Sequence, residues 1–161
     1  ALELRKDWND LGEIVARVAS AARRRGARQI IETSVPQDLP LARVDAVLAE
    51  QALGNIVGNA VAHTPESARI VIAAEFDDQF IGLQVTDDGP GIAPELLPRV
   101  FDRFVSAPTV SDHGERTGLG LAIAKGIMEA HGGTIAVESP LPGTSKGTRV
   151  TLRFARQEPP A

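Results

Sequence analysis

The segment FIGLQVTDDGPGI, residues 80–92, indicates a strand that ends in an acidic turn with two glycines. Residues 80–86 are mostly apolar or alternate with polar residues, which is typical of a strand in a sheet. Aspartate, glycine and proline follow, and these residue types favour a tight turn. Because glycine has no Cβ, Gly89 and Gly91 also allow a ligand to approach the backbone closely. The segment therefore predicts a strand that leads directly into a turn with room for a ligand.

Apolar periodicity predicts two helices before this segment and one after it, and four more strands. Asp45 is the predicted N-cap of the second helix. Thr64-Pro65 ends that helix, and Gly132-Gly133 ends the last one. The predicted helices cover residues 11–25, 46–63 and 119–130, and the predicted strands cover 29–35, 69–76, 80–86, 134–138 and 148–154. Since helices and strands do not alternate regularly, this order predicts an α/β (α+β) two-layer sandwich, with one mixed, mainly antiparallel sheet packed against three helices.

Composition divides the chain into three predicted parts. Residues 1–26 form an N-terminal segment with the first helix, residues 27–155 form the main domain, and residues 156–161 form a disordered tail. Within the main domain, residues 93–117 are rich in proline, glycine and polar residues and show no regular periodicity. A long irregular segment inside a compact domain is typical of a mobile lid over a functional site.

Composition also excludes several classes of function. The chain has 161 residues, of which 43% are hydrophobic and 24% charged, as expected of one soluble domain. With 17 basic and 21 acidic residues, its net charge of −4 argues against nucleic-acid binding. The absence of cysteine excludes disulfides and thiol chemistry, and His63, His113 and His131 are too dispersed for a metal cluster. Neither a signal peptide nor an apolar run long enough for a membrane span is found, so we expect a cytoplasmic domain without direct membrane contact.

Two asparagines lie on the predicted second helix, within Asn55-Ile56-Val57-Gly58-Asn59-Ala60. Residues four apart share a helix face, so Asn55 and Asn59 point the same way. One interpretation is a pair of structural amides whose hydrogen bonds are satisfied within the fold, since an unpaired buried amide costs about 1–3 kcal/mol. The other is an oxygen ligand for Mg²⁺, which prefers amide or carboxylate oxygens together with phosphates.

Three further sites have chemistry suited to a nucleotide. An ionised carboxylate only accepts hydrogen bonds, so Asp87 could accept one from the adenine amine and reject the oxygen of guanine. Gly118 and Gly120 open the third helix, where backbone N–H groups favour phosphate. Phe101 and Phe104 could anchor the lid to the domain body. Phosphate-loop, dinucleotide-binding and hydrolase nucleophile motifs are all missing from the chain.

In this order and spacing, the clusters resemble the N, G1, F and G2 boxes of the catalytic, ATP-binding domain of bacterial sensor histidine kinases, and residues 147–152 resemble a trailing G3-type element. The resemblance covers roughly residues 45–152 and implies the Bergerat nucleotide fold, which DNA gyrase, Hsp90 and MutL share. More narrowly, Trp8, Leu11 and Glu13 with residues 38–45 resemble the Kdp-type potassium-responsive sensor kinases.

The resemblance implies a role for each matching residue. Asn59 would hold Mg²⁺ against the ATP phosphates, and Asp87 would bind the adenine amine, with Gly89 and Gly91 shaping the pocket. Gly118 and Gly120 would form the hinge and phosphate cradle. The remaining nucleotide-binding residues that it implies are Asn55, His63, Ile92, Phe104, Arg116, Thr117, Leu119, Leu121 and Thr148.

Asn55 bears on the type of reaction. Hydrolysing members of this superfamily and the anti-sigma serine kinases carry a glutamate there as general base, and a neutral amide cannot take a proton from water. Asn55 thus favours phosphoryl transfer, where positioning and charge neutralisation dominate. The chain departs from the family pattern at Ala62, where a basic residue is usual, and at Arg116, where a glycine often stands. Arg116 could supply phosphate charge or simply face solvent.

The resemblance also implies partners. None of the three histidines fits the family's phosphoacceptor motif, so the acceptor would lie on a separate dimerisation hairpin, absent from this chain. A response regulator would receive the phosphoryl group next, and the full-length protein would be anchored in the bacterial inner membrane. We expect the isolated domain to be a monomer. The alternative functions are a nucleotide-sensing interaction module without transferase activity and an anti-sigma-type serine kinase.

Overall fold

The computed structural model describes residues 2–102 and 120–159. It contains a five-stranded sheet, a separate two-stranded sheet and three helices. The helices are α1 (Leu11–Arg24), α2 (Ala46–His63) and α3 (Gly120–Ala130). The strands are β1 (Asp7–Asn9), β2 (Ile30–Ser34), β3 (Ala42–Val44), β4 (Arg69–Phe76), β5 (Phe80–Asp87), β6 (Thr134–Glu138) and β7 (Thr148–Ala155).

The large sheet has the strand order β2-β4-β5-β7-β6, in which β2 and β4 are parallel and all other neighbours are antiparallel. Side chains alternate along β4: Ile70, Ile72 and Ala74 are buried, whereas Val71 and Ala73 between them are half-buried. The buried residues form one core with apolar residues of all three helices. This confirms the predicted two-layer sandwich.

Local sequence signals account for both ends of α2. The Asp45 carboxylate accepts a hydrogen bond from the Leu48 N–H (3.1 Å), as predicted for an N-cap. At the other end, the Thr64 hydroxyl donates to the Ala60 carbonyl (2.7 Å). The Gln29 amide donates to the carbonyls of Val61 (2.8 Å) and Thr64 (3.1 Å). Carbonyls that the last turn of a helix leaves without a partner are therefore satisfied by side chains.

Three short elements were not predicted from the sequence. Strands β1 and β3 pair antiparallel, with Asp7 opposite Val44, and each has only three residues, too few to show a periodicity. A short 3₁₀ turn, Leu97–Arg99, lies inside the segment predicted to be irregular. The other predicted lid residues from 103 onward lie outside the described part of the chain.

The end of α3 follows the predicted glycine signal. Gly132 has a φ of 70°, in the left-handed region, and the Gly133 N–H donates to the Met128 carbonyl (2.9 Å). Gly133 also lies against β7, where a Cβ would collide with the Arg153 carbonyl oxygen and sit 2.9 Å from the Met128 methyl carbon. Close contact between α3 and β7 thus requires glycine at 133.

Residues after β7 are held by the β4–β5 hairpin. The Arg156 N–H donates to the Gln79 carbonyl (2.8 Å), and its guanidinium lies 5.7 Å from the centre of the Phe76 ring. Arg156, assigned to the tail in the sequence analysis, therefore contacts the sheet. Among the described residues, no helix has both the length and the apolar character needed to cross a membrane.

Two glycine substitutions should change stability in opposite directions. Gly133→Ala should lower the free energy of unfolding by about 1–3 kcal/mol, because the added methyl group must displace backbone. Gly126→Ala, in the interior of α3 with nothing within 4 Å of the added Cβ, should raise it by up to about 1 kcal/mol. Urea denaturation of both variants measures this, and equal stability of Gly133→Ala and the wild type would contradict the close contact.

Candidate functional site

Asp87 lies at the C-terminal end of β5, where the ladder pairs it with Ile70 on one side and Thr148 on the other. Its side chain is buried (8% exposed), and its Oδ1 accepts a hydrogen bond from the Gly89 N–H (3.0 Å). Its Oδ2 accepts none from any residue that the structure describes. Burial raises the pKa of Asp87 to about 6, and the nearby Asp88 adds to this, whereas the Gly89 hydrogen bond opposes it. Oδ2 can thus accept a hydrogen bond from a donor outside the described residues.

The neighbouring Asp88 has a different role. Its side chain is exposed, and its Oδ1 accepts a hydrogen bond from the Arg69 N–H (2.7 Å) at the start of β4. Asp88 therefore links the turn to β4, and of the two adjacent carboxylates only Asp87 is buried.

The turn that follows Asp87 is tied to the β6–β7 connection through Ser139. The Ser139 hydroxyl accepts a hydrogen bond from the Ile92 N–H (2.7 Å) and donates to the Gly147 carbonyl (2.9 Å). The Gly147 N–H in turn donates to the Gly89 carbonyl (2.9 Å). Thr148, predicted as a site residue, donates to Ser139 (3.3 Å). Sequence reasoning missed Ser139, although its place directly after β6 and beside the start of β7 puts it near the end of β5.

The glycines in this region are required by contacts within the protein. A Cβ on Gly89 would lie 2.6 Å from Thr64 Cγ2, and one on Gly91, whose φ is 86°, would lie 2.9 Å from Ser139 Oγ. A Cβ on Gly147 would lie 2.8 Å from the Asp87 carbonyl oxygen. Gly89 thus brings the Asp87 turn against Thr64 at the end of α2. Thr64 is a second residue that sequence reasoning did not place in the site.

Three predicted polar residues are spaced by four along α2: Asn55, Asn59 and His63. All three are half-buried, and at this spacing they follow one side of the helix. We call them the polar stripe. It ends beside Thr64 and so runs toward the Asp87 turn. At its other end, Asn55 borders a groove of about 980 Å³ between α1 and α2.

Helix α3 contacts α2, with Leu121 packed against the core near its start. The structure therefore places Asp87, Gly89, Gly91, Ile92 and Thr148 in one turn region, with the C-terminal end of α2 directly beside it. The remaining predicted site residues, Phe104, Arg116, Thr117, Gly118 and Leu119, lie outside the described residues.

Comparison with known proteins gives consistent matches. Sensor protein KdpD of Clostridium acetobutylicum is 34% identical over 134 residues, which make up 83% of this chain and 15% of that protein. The solved structure of the mycobacterial sensor histidine kinase MprB is 31% identical, with a TM-score of 0.80 over 92% of this chain and 97% of that one. The full-length structure of ShkA in complex with AMPPNP is 30% identical, with a TM-score of 0.77 over 96% of this chain and 32% of that one.

A family model agrees with these matches. The model described as histidine kinase-, DNA gyrase B-, and HSP90-like ATPase matches residues 44–158. This range includes α2, the Asp87 turn and the β6–β7 connection, which form the candidate site. Since the match covers more than half of the chain, the chain belongs to the family of histidine kinase-, DNA gyrase B- and HSP90-like ATPases.

Proposed function

We propose that this chain is the catalytic domain of a sensor histidine kinase, which binds Mg·ATP and donates the γ-phosphoryl group to a histidine on a separate dimerisation hairpin. The observation that carries the proposal is the buried Asp87, whose Oδ1 is held by Gly89 while its Oδ2 accepts no hydrogen bond from the described residues. The MprB and ShkA structures, both at least 30% identical, support the kinase assignment.

Asp87 supplies selectivity for adenine in this proposal. With a pKa of about 6, the carboxylate is mostly ionised at neutral pH and can only accept hydrogen bonds. The exocyclic amine of adenine donates, whereas the corresponding oxygen of guanine accepts and would face a negative charge. Burial strengthens this discrimination because water competes poorly for the same oxygen. The AMPPNP bound to ShkA is an adenine nucleotide, which supports this choice of base.

The polar stripe would hold the other end of the nucleotide. The amide oxygen of Asn59 suits Mg²⁺, which neutralises phosphate charge when bound. Asn55, one turn earlier, carries no charge and cannot deprotonate water, so attack by a histidine of the hairpin is favoured over hydrolysis. In the transfer, a ring nitrogen of that histidine bonds to the γ-phosphorus as the bond from phosphorus to the ADP oxygen breaks. The phosphate roles of Arg116, Thr117, Gly118 and Leu119 and the anchoring role of Phe104 stay predictions.

The finer proposal is that the parent protein is a Kdp-type, membrane-anchored sensor for potassium that passes its phosphoryl group to a response regulator. The match to KdpD supports it. This chain spans only 15% of that protein, and in this proposal it corresponds to the catalytic domain alone. The deciding measurement is the induction of potassium uptake under potassium limitation in cells with and without the gene.

Asp87→Asn should abolish the preference for adenine. The Gly89 N–H requires an acceptor, so the introduced amide would turn its oxygen toward Gly89 and its NH₂ toward the adenine amine, donor against donor. Losing a hydrogen bond to a charged acceptor costs about 1.5–3 kcal/mol, or roughly 10- to 100-fold in Kd for Mg·ATP. Calorimetric titration with Mg·ATP and Mg·GTP measures this, with Asp88→Asn as the matched control. Wild-type protein that binds both nucleotides equally well would refute the role of Asp87.

The same substitution should stabilise the nucleotide-free protein at neutral pH. Asp87 has its pKa raised from 3.8 to about 6 by folding, so between these values the folded state keeps a proton that the unfolded state has released. Stability therefore falls as pH rises through this window and levels off above it, at a cost of up to about 3 kcal/mol. Asp87→Asn escapes that cost. In urea denaturation, the free energy of unfolding of Asp87→Asn should exceed that of the wild type by an amount that grows from pH 4 to pH 6.5 and then stays constant. A difference that does not depend on pH would show that Asp87 is not the titrating group.

Asn59→Asp should abolish phosphoryl transfer while leaving the fold intact. A carboxylate at this position adds a negative charge beside the phosphates and alters how the metal is shared with them. We expect at least a roughly 100-fold lower rate of phosphorylation of the hairpin domain supplied in trans. Gln51→Glu makes the same change of charge at an exposed position about two helical turns before Asn59 and should transfer at the wild-type rate. Full transfer by Asn59→Asp would remove Asn59 from the mechanism.

A further inference from the structure

Asp45 joins three parts of the chain at the start of α2. Its carboxylate accepts hydrogen bonds from the Leu48 N–H (3.1 Å) within α2 and from the Arg5 N–H (3.0 Å) in the segment before β1. Its own backbone N–H donates to Nε2 of His131 (3.1 Å), directly after α3. Asp45 is 8% exposed, so these bonds are largely shielded from water. The first turn of α2 is thus tied to the C-terminal end of α3.

The hydrogen bonds of His131 define its tautomer. Nδ1 lies 2.8 Å from the Ile127 carbonyl oxygen, which can only accept, so Nδ1 carries the hydrogen. Nε2 therefore has the lone pair that accepts from the Asp45 N–H. The ring also meets Phe154 of β7 edge to face, with centroids 5.4 Å apart. His131 is held by α2, α3 and the sheet in a single orientation.

His131 lies far from the residues assigned to the nucleotide. It follows an α3 of 11 residues, so about 16 Å of helix separates it from Gly120 at the start of α3. Asn59 lies 14 residues after Asp45, about 20 Å farther along α2. Side-by-side helices can slide along each other by small amounts. A bond between the end of α3 and the start of α2 limits such sliding and so determines where α3 begins relative to Asn59.

The Asp87 turn does not depend on this link. It is held by Ser139, Gly147 and Thr64, none of which touches His131 in the described structure. Loss of the His131 bond should therefore disturb the phosphate end of the site and spare the adenine end.

We propose that His131 is a positioning residue for phosphoryl transfer: through its bond to the Asp45 N–H, it sets the register of α3 on α2 without touching the nucleotide. This inference rests on the proposed function of Asn59 and Asp87. It predicts that loss of the His131 bond lowers the rate of transfer and leaves the affinity for adenosine unchanged. A general loss of stability would lower both.

The test uses two substitutions and one control. His131→Leu keeps apolar bulk against Phe154 but removes both hydrogen bonds, whereas His131→Gln keeps an acceptor for the Asp45 N–H and a donor. Glu129→Gln, at the same end of α3, changes an exposed residue whose carboxylate lies 3.9 Å from the Lys125 ammonium. Each protein is assayed well below its melting temperature for transfer to the hairpin domain and for binding of adenosine and Mg·ATP.

His131→Leu should lower kcat for transfer roughly 10- to 100-fold, as misplacement of reacting groups does, with adenosine affinity unchanged. His131→Gln should recover most of the rate, and Glu129→Gln should match the wild type. Transfer by folded His131→Leu at the wild-type rate, or a parallel loss of adenosine affinity, would overturn the inference. Wild-type protein that neither binds Mg·ATP nor transfers phosphate would instead refute the proposed function.

Discussion

Helix α2 must keep one rotational setting, and the rest of the structure depends on this constraint. Its core side carries residues such as Ile56 and Ala60, while Asn55, Asn59 and His63 follow another side. Neighbouring positions on an α-helix differ by about 100°, so a rotation by one residue would move the stripe toward the core at a cost of about 1–3 kcal/mol per unpaired amide. Asp45 holds one end of α2, and Gln29 with Thr64 holds the other. Both other helices and strands β4 and β5 pack against the helix fixed in this way.

Glycine serves two purposes around Asp87, and sequence alone does not separate them. In the sequence, the pattern of Gly89 and Gly91 indicates room for a ligand. In the fold, both positions are already filled by contacts of the protein, Thr64 against Gly89 and Ser139 against Gly91. The glycines therefore let the turn approach α2 and the β6–β7 connection closely enough to shape a site. A ligand benefits from that shape without being the direct reason for the missing side chains.

Signals carried by neighbouring residues made much of the fold predictable. The N-cap at Asp45, the glycines after α3 and the alternation along β4 and β5 act within a few residues, so the predicted helices and strands agree with the structure to within two residues. The burial of Asp87 was not predicted, because it depends on the strands that flank β5 on both sides. The contacts of His131, Ser139 and Thr64 were not predicted, because their partners are 86, 47 and about 25 residues away. Such contacts depend on the register between elements, which no local pattern contains. Strands β1 and β3 likewise depend on a distant partner, because within the described residues they pair only with each other, and each is too short to be predicted from its own sequence.

The parallel pairing of β2 with β4 has a consequence for the order in which the chain can fold. The β4–β5 hairpin closes over three residues, where Asp77 Oδ1 accepts hydrogen bonds from the N–H groups of Gln79 and Phe80, so it can form from local contacts. Strands β2 and β4 are joined by residues 35–68, a crossover that contains α2. Closing this longer loop costs chain entropy, which the pairing of β2 with β4 and the docking of α2 offset together. A chain that has not yet docked α2 lacks both the β2 edge of its sheet and the polar stripe, so anything that slows the docking delays both together.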